Sequence, residues 1–287
     1  MENDAKSKYT INFTRKSLTF LAKHTSLTEP EAVKHFIATL KNKKGELVTN
    51  GYKRNLCIAY NNFCKYYKIQ WNKPTYKPDA VEHLPPTKEK ALMLIAAASK
   101  NQSLKLKISL ETGLRPIELC RLKAKDVNLE HKVITPKTAK NGNPRTLPIT
   151  TSLTTAIQEH IIKKSLKPED KLFKGTADDY GKHYRAMRNK LAEKLKDPSI
   201  RTIRLYDLRH YFCCKKLNDT GKPYTVMVLM GHKKLETTQK YMHYLNLNND
   251  EWECIGATTA KEATKLIEEG FQYVTTIEGI QLFRKRK

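Results

Sequence analysis

The sequence predicts a mainly helical protein with small β elements, an α+β fold class, divided into several regions. Three observations support this prediction. Apolar side chains recur at helical spacing along much of the chain. Short β-rich runs flank turn signals at Asn141-Gly142 and Glu278-Gly279. A proline-rich stretch between residues 73 and 90 interrupts the helical pattern.

Charge and hydropathy narrow the class of protein. The 287 residues include 54 Lys and Arg against 29 Asp and Glu, a formal net charge of +25, and 39% are hydrophobic, which excludes a disordered polycation. A folded chain of this charge calls for a polyanionic partner, and nucleic acid is favoured over an anionic membrane surface. The longest apolar stretches, 91–98 and 226–230, fall far short of the roughly 20 residues that cross a bilayer. We therefore expect no membrane partner, no secretory signal and a cytoplasmic location.

The regions differ in charge and in pattern. Residues 1–72 carry a net charge of +8 and predict a small helical domain, with one helix capped by Thr28 and another by Asn50. Residues 73–90 contain four prolines and predict a linker. Residues 91–247 predict a second domain, within a segment (73–247) of net charge +18. Residues 248–287 have a net charge of −1 and predict a β-α-β-β tail, which we expect to pack on protein, with a neighbouring subunit as a candidate.

The cysteines and acidic residues indicate no metal. The six cysteines show neither CxxC pairing nor zinc-ligand spacing, and we expect reduced, packed thiols. No cluster of Asp and Glu suggests a metal site either, so the sequence indicates no metal ion.

The segment 111–122 holds the first candidate site residues. A helix stops at Gly113 and Pro116 is suited to open the next, which places Arg115 at a helix N-terminus. A guanidinium group, free backbone N–H groups and the positive end of the helix dipole then meet, as a phosphate site requires. Glu118 can cap this helix or hold Arg115 in place. An exposed arginine in an ordinary turn is an equally good interpretation of this segment alone.

Three further segments carry candidates. Lys140 precedes the Asn141-Gly142 turn of a predicted hairpin, where a lysine is usually only a solvated charge. Arg209 lies near the start of a helix in the segment 205–212. In the segment 229–244, Gly231 ends a helix and His232 follows it. Thr237 is predicted to cap the next helix, which would carry Tyr241, although that tyrosine could also be a packed aromatic residue.

The order and spacing of these segments resemble the catalytic domain of tyrosine recombinases, the phage-integrase family of site-specific DNA recombinases. The resemblance covers roughly residues 85–245, and residues 1–72 resemble the family's core-binding domain. It identifies the site residues as Arg115 (first catalytic arginine), Glu118 (acidic position), Lys140 (hairpin lysine, with Lys137 as the alternative), Arg209 (second arginine), His232 (His-or-Trp position) and Tyr241 (nucleophile).

One position departs from the family pattern. The family has a histidine three residues before the second arginine, and this chain has Tyr206 there. A phenol can donate a hydrogen bond to a phosphate oxygen but is a poor base near neutral pH. The identity of any general base therefore stays open. The end of the chain, from residue 266 onward, is similar to the tails of archaeal integrases.

The resemblance implies strand breakage and rejoining in double-stranded DNA at attachment or recombination sites. Tyr241 would form a covalent 3′-phosphotyrosyl intermediate and release a 5′-hydroxyl. Arg115, Arg209 and His232 would stabilise the transition state, and Lys140 would protonate the leaving oxygen. Neither a metal nor another cofactor is implied, and the family resemblance predicts a homotetramer on DNA.

Two other functions remain open at this point. Tyr206 is the one hint of a catalytically inactive DNA-binding protein with the same fold. A type IB topoisomerase would use similar chemistry to relax supercoils without recombination.

Overall fold

A computed structural model describes residues 7–78, 84–139, 142–244, 252–277 and 279–286. Within these ranges the chain is mainly helical with two small antiparallel sheets, which confirms the predicted fold class. Two compact units divide it, Met1–Glu82 and His83–Lys287. The division lies within the proline-rich stretch 73–90. The finer boundaries set out above stay predictions. Lys140 and Asn141 lie outside the described residues.

The first unit contains three helices, α1 (Lys8–Ala22), α2 (Pro30–Thr39) and α3 (Asn50–Tyr67). Two predicted caps are wrong by one residue. Thr28 bonds the Ser26 hydroxyl instead, so Glu29 occupies the N-cap position of α2. Thr49 caps α3 by accepting from a backbone N–H, which makes Asn50 the first helical residue.

Apolar faces of these three helices form a core of their own. Leu21, Ile37, Leu56 and Tyr60 are completely buried in it. Lys53 of α3 is also buried, and its Nζ donates to the carbonyl oxygen of residue 38 at 2.7 Å. This lysine is therefore a structural cation of the first unit rather than part of a charged surface.

The second unit contains nine α-helices among its described residues. These are α4 (Lys88–Ala97), α5 (Lys100–Thr112), α6 (Pro116–Leu119), α7 (Thr151–Lys163), α8 (Ala177–Lys194), α9 (Asp207–Thr220), α10 (Pro223–Met230), α11 (Leu235–Gln239) and α12 (Ala260–Glu268). Short 3-10 turns lie at Ala124–Asp126, Pro198–Thr202 and Met242–Tyr244. Helix α4 begins inside the stretch predicted as a linker, because Thr87 caps it just after the prolines end.

A shared core brings the chemically important helices together. Ile108 of α5, Leu119 of α6, Ile157 of α7 and Leu208 of α9 are buried in one apolar cluster. Phe212, on the same helix as Leu208, belongs to a second cluster that includes residues of α10. Helix α9 is thus fixed on both sides. The residue between those two contacts, Arg209, is held in the interior.

The first sheet contains three two-residue strands, β1 (Val127–Asn128), β2 (Val133–Ile134) and β3 (Leu147–Pro148), in the order β1-β2-β3. Strands β2 and β3 pair antiparallel, as a hairpin requires, but the pairing stops far from the predicted turn. Residues 135–139 and 142–146 form no strand. Pro136 and Pro144 cannot donate to a strand ladder, and nearby polar groups bond other elements, as described below.

The tail forms a second sheet of β4 (Trp252–Ala257), β5 (Gln272–Ile277) and β6 (Ile280–Arg286), in the order β4-β6-β5. Helix α12 precedes β5 and shares a small core with the sheet that includes Leu266 and Phe283. The predicted cap Thr259 accepts from the N–H of Glu262. The strand, helix and hairpin order is the predicted one. No helix in the described ranges is long and apolar enough to cross a membrane.

Candidate functional site

Arg115 stands at the start of α6, where the sequence places it. Helix α5 ends at Gly113, whose φ of +61° lies in the left-handed region, and Pro116 opens α6. Glu118 accepts both from the backbone N–H of Arg115 at 3.0 Å and from its guanidinium Nη1 at 2.9 Å. The arginine side chain is only 15% exposed. The carboxylate therefore caps the short helix and holds the guanidinium in one orientation.

The same carboxylate has a second cationic partner, Arg145. Its Nη2 donates to Glu118 Oε2 at 2.7 Å, and the side chains of both residues are almost completely buried. Burial raises the pKa of Glu118, but the bonds and charges of Arg145 and Arg115 outweigh burial and bring the pKa from 4.5 down to about 2. Glu118 is therefore ionised at neutral pH and shared between two guanidinium groups.

Arg209 of α9 is 1% exposed. Its Nη1 donates to the carbonyl oxygen of Gly113 and its Nη2 to that of Met230, both at 2.6 Å. These bonds join α9 to the end of α5 and the end of α10. Burial lowers the pKa of Arg209 to about 10, and the charge of Arg115 acts in the same direction. The two arginines are thus close enough to repel each other, which favours an anion between or beside them.

His232 lies directly after Gly231, the left-handed residue that ends α10. Nε2 of its ring is 3.2 Å from Arg209 Nη2, and Nδ1 is 2.9 Å from the Thr238 hydroxyl. Because a guanidinium only donates, Nε2 accepts and the ring hydrogen is on Nδ1. Burial, followed by the charges of three arginines, lowers the pKa of His232 to about 4. The imidazole is therefore neutral near pH 7.

Tyr241 lies beyond the helix predicted to carry it. Helix α11 begins at Leu235 after Lys234, so Thr237 is inside the helix and does not cap it. The helix ends at Gln239, so Tyr241 lies between α11 and the 3-10 turn that begins at Met242. The backbone N–H of Tyr241 donates to the carbonyl oxygen of Thr238. The Tyr241 ring packs against the cluster that contains Phe212. Burial raises the pKa of the phenol, and the charge of Arg209 opposes that rise.

Tyr206 and His210 extend the aromatic surface beside Tyr241. Tyr206 stands at the N-cap position of α9 and is 40% exposed. The ring centroid of His210 lies 5.2 Å from that of Tyr206 and 5.1 Å from that of Tyr241. The His210 ring therefore lies between the rings of Tyr206 and Tyr241 and contacts both.

Three described residues between β2 and β3, Ala139, Gly142 and Asn143, lie against the residues of this site. The N–H of Ala139 donates to Glu118 at 3.3 Å, and Asn143 Nδ2 donates to the His232 carbonyl at 3.2 Å. A Cβ added to Gly142 would lie 3.5 Å from Arg115 Nη1. Lys140, the predicted acid, lies outside the described residues, and Lys137 is exposed. This segment contacts both halves of the site.

Sequence reasoning missed Arg145 and Thr238. Arg145 carried one signal, a charge two residues before the apolar run Leu-Pro-Ile. Thr238 carried none, because its completely buried hydroxyl matters only through the fold that brings it to His232.

The assembled pocket is suited to hold a phosphodiester. It contains the guanidinium groups of Arg115, Arg145 and Arg209 and the carboxylate of Glu118, so its net charge is positive. One planar guanidinium can bind two phosphate oxygens at the same time. The Tyr241 phenol lies near enough for the charge of Arg209 to lower its pKa against the effect of burial. Among the side chains that the structure describes, no group of three or more His, Cys, Asp or Glu could hold a metal ion.

Comparison with known proteins identifies the family of the chain. A sequence profile described as the phage integrase family matches residues 82–247. The tyrosine recombinase XerA of Saccharolobus solfataricus is 26% identical over 260 residues, which cover 86% of each chain. The tyrosine recombinase XerA of Pyrococcus furiosus is 28% identical over 264 residues, 84% of this chain and 85% of the relative.

Solved structures share the fold. The Tn1549 transposon integrase in complex with circular intermediate DNA superposes with a TM-score of 0.66 at 20% identity, over 93% of this chain and 96% of that one. XerH site-specific recombinase bound to difH substrate, in a pre-cleavage complex, gives 0.57 at 20% identity, over 75% and 67%. Since the family profile covers more than half of the sequence, the chain belongs to the phage integrase family, the tyrosine-type site-specific recombinases of DNA.

Proposed function

We propose that this recombinase cuts and rejoins DNA strands through a covalent link between Tyr241 and a 3′-phosphate. The Tyr241 oxygen attacks the scissile phosphorus, the bond to the 5′ oxygen breaks, and a 5′-hydroxyl leaves. The 5′-hydroxyl of a partner strand then attacks the phosphotyrosyl bond and releases the phenol. The phosphodiester energy is stored in the protein link, so strand exchange needs no added energy source.

The observation that carries this proposal is the convergence of Arg115, Arg209 and His232 on one site, with Tyr241 near enough to feel the charge of Arg209. In the transition state, negative charge grows on the two non-bridging oxygens of the phosphate. Fixed guanidinium groups oriented before the reaction stabilise that charge without having to reorganise. Arg209 is held by two carbonyl oxygens and Arg115 by one carboxylate, so both are oriented in the free protein.

The reaction needs two proton transfers. The Tyr241 phenol must lose a proton, and the leaving 5′ oxygen must gain one. The buried Tyr241 phenol has a raised pKa, so its ionisation depends on the arginines and on an acceptor when DNA binds. Tyr206 is a poor acceptor, and His232 accepts from Arg209 at Nε2 in the free protein. A bound phosphate raises the pKa of an adjacent imidazole, which would let Nε2 donate to a phosphate oxygen. Lys140 is our choice for the acid at the leaving oxygen, with Lys137 as the alternative.

The proposed partner is double-stranded DNA bound by a homotetramer, with both units of each chain contributing contacts to DNA. The net charges of +8 in residues 1–72 and +18 in residues 73–247 support contact with the phosphate backbone along both units. Arg54, Lys65 and Lys68 of the first unit are exposed, as such contacts require.

A covalent trapping experiment tests the proposed function. A library of nicked duplexes with a randomised central segment is incubated with the wild-type chain, and the sequences recovered as protein–DNA adducts define the substrate. We expect an adduct that survives denaturation and disappears in Tyr241→Phe. No adduct under any condition would favour the catalytically inactive DNA-binding protein that Tyr206 hints at.

A second assay separates recombination from topoisomerase activity. Two copies of the recovered sequence are placed on one supercoiled plasmid. Exchange between the two copies is the expected result. Relaxation of supercoils without exchange would instead identify a type IB topoisomerase.

A further inference from the structure

Arg145 is a buried cation that the proposed chemistry does not use. The residue is 5% exposed and comes just before β3. Its guanidinium lies 2.7 Å from one oxygen of Glu118 and 3.5 Å from the other. Its Nε has no hydrogen-bond partner. Placing a charge in such a site is costly, so an uncharged residue would be the simpler choice if only packing mattered.

The charge balance of the pocket shows what Arg145 changes. Among the described residues, Glu118 is the one carboxylate bonded to Arg115, and its shortest side-chain contacts are Oε1 to Arg115 and Oε2 to Arg145. Without Arg145, the whole charge of Glu118 would be left to Arg115. A guanidinium whose charge is neutralised by one buried carboxylate attracts a phosphate more weakly than a guanidinium that shares the carboxylate with a second cation.

Arg145 also reaches the other half of the site. A Cβ added to Gly231 would lie 2.8 Å from Arg145 Nη1, so the guanidinium lies directly against the residue before His232. Two residues earlier, Asn143 donates to the His232 carbonyl. The same short segment thus connects the α6 entry to the turn that carries the histidine.

Resting on the proposed function, we infer that Arg145 is a positioning residue that neutralises Glu118 and thereby leaves the guanidinium of Arg115 available to the scissile phosphate. Arg145 does not contact DNA in this account. Its effect on cleavage passes through Glu118, so the effect disappears when Glu118 loses its charge.

A charge-compensation cycle tests the inference. The rate of adduct formation on the recovered nicked duplex is measured for wild type, Arg145→Met, Glu118→Gln and the double variant. We expect Arg145→Met to slow adduct formation about 10- to 100-fold, less than the roughly 100- to 1,000-fold loss that follows removal of a group in direct contact with the transition state. In the Glu118→Gln background, the same Arg145→Met change should alter the rate by less than about threefold, because coupled residues are not additive.

The outcomes separate the inference from the proposed function. A tenfold or greater loss on adding Arg145→Met to Glu118→Gln would overturn the inference, since the role would then not depend on the carboxylate charge. So would an Arg145→Met rate equal to wild type. If Arg145→Met alone does not fold, the comparison within the Glu118→Gln background decides. A wild-type chain that forms no adduct would overturn the proposed function itself.

A matched control comes from another arginine–glutamate pair. Arg201 Nη2 lies 2.9 Å from Glu193 Oε1, but both side chains are more than half exposed. Arg201→Met removes the same kind of group from the surface and should leave the adduct rate unchanged.

Discussion

Replacing Gly231 by alanine should destabilise the protein more than replacing Gly221. The two glycines end consecutive helices, α10 and α9, and both have a φ of +62°. They differ only in their surroundings. A Cβ at Gly221 would meet no atom within 4 Å, whereas at Gly231 it would lie 2.8 Å from Arg145 Nη1 and 3.1 Å from the Asn143 carbonyl oxygen.

The magnitude follows from two contributions. Left-handed backbone costs an L-residue about 1–2 kcal/mol, and this cost falls on both variants. Overpacking a well-filled site costs about 1–3 kcal/mol more, and this applies to Gly231→Ala alone. Arg145 cannot simply swing away, because its Nη2 is bonded to buried Glu118 at 2.7 Å. We therefore expect Gly231→Ala to lose about 2–5 kcal/mol of unfolding free energy, against about 1–2 for Gly221→Ala.

Denaturation by guanidinium, followed by far-ultraviolet circular dichroism, measures both variants against wild type. The adduct rate provides a second readout, and Gly231→Ala should slow it while Gly221→Ala should not. Equal losses of unfolding free energy would refute the reasoning, because the close approach of Arg145 to Gly231 would then carry no energetic weight.

Four other predictions follow from the same structure. Arg209→Lys keeps the charge but loses the planar fork that bonds two carbonyl oxygens, so adduct formation should fall about 100-fold while DNA binding changes little, as a gel-shift assay would show. The pKa of Glu118 is lowered from 4.5 to about 2. The ionised carboxylate therefore stabilises the folded protein fully above pH 4.5, and this contribution is lost as the pH falls through 2. Relative to Glu118→Gln, wild type should lose on the order of 3 kcal/mol of unfolding free energy across that range. Thr238→Val removes the acceptor that fixes the ring tautomer of His232 and should slow adduct formation, and Thr238→Ser should restore it. Removal of residues 248–287 should weaken assembly on paired sites, measured by light scattering, more than binding to one site, and equal loss of both would argue against a subunit-packing tail.

Much of the fold and the site could be predicted from local rules. Gly113, Pro116 and Gly231 mark helix ends through their own backbone preferences, and each marks an end in the structure. The ordered pattern of Arg115 and Arg209 then identified two residues 94 positions apart that the fold brings into one pocket. Such positions can be predicted because the residue type itself meets the structural or chemical requirement of the position.

The remaining features depend on contacts between distant segments. The signal at Asn141-Gly142 predicted a hairpin, and β2 and β3 do pair antiparallel, but Ala139 and Asn143 beside the predicted turn bond Glu118 and the His232 carbonyl. Thr237 has the side chain of a cap, yet α11 starts two residues before it. The role of Arg145 also could not be predicted from the sequence, because it depends on the contact with the Glu118 carboxylate that the fold creates.

The identity of the residue that becomes covalently attached to DNA tests the central claim most directly. The trapped adduct is digested with nuclease and then trypsin, and the peptide after Lys240 is analysed by fragmentation mass spectrometry. That peptide contains Tyr241 and Tyr244, which its fragment ions distinguish. We predict a nucleotide on Tyr241 linked through a 3′-phosphate. A nucleotide on Tyr244, on Tyr206 or on any other residue would contradict the account.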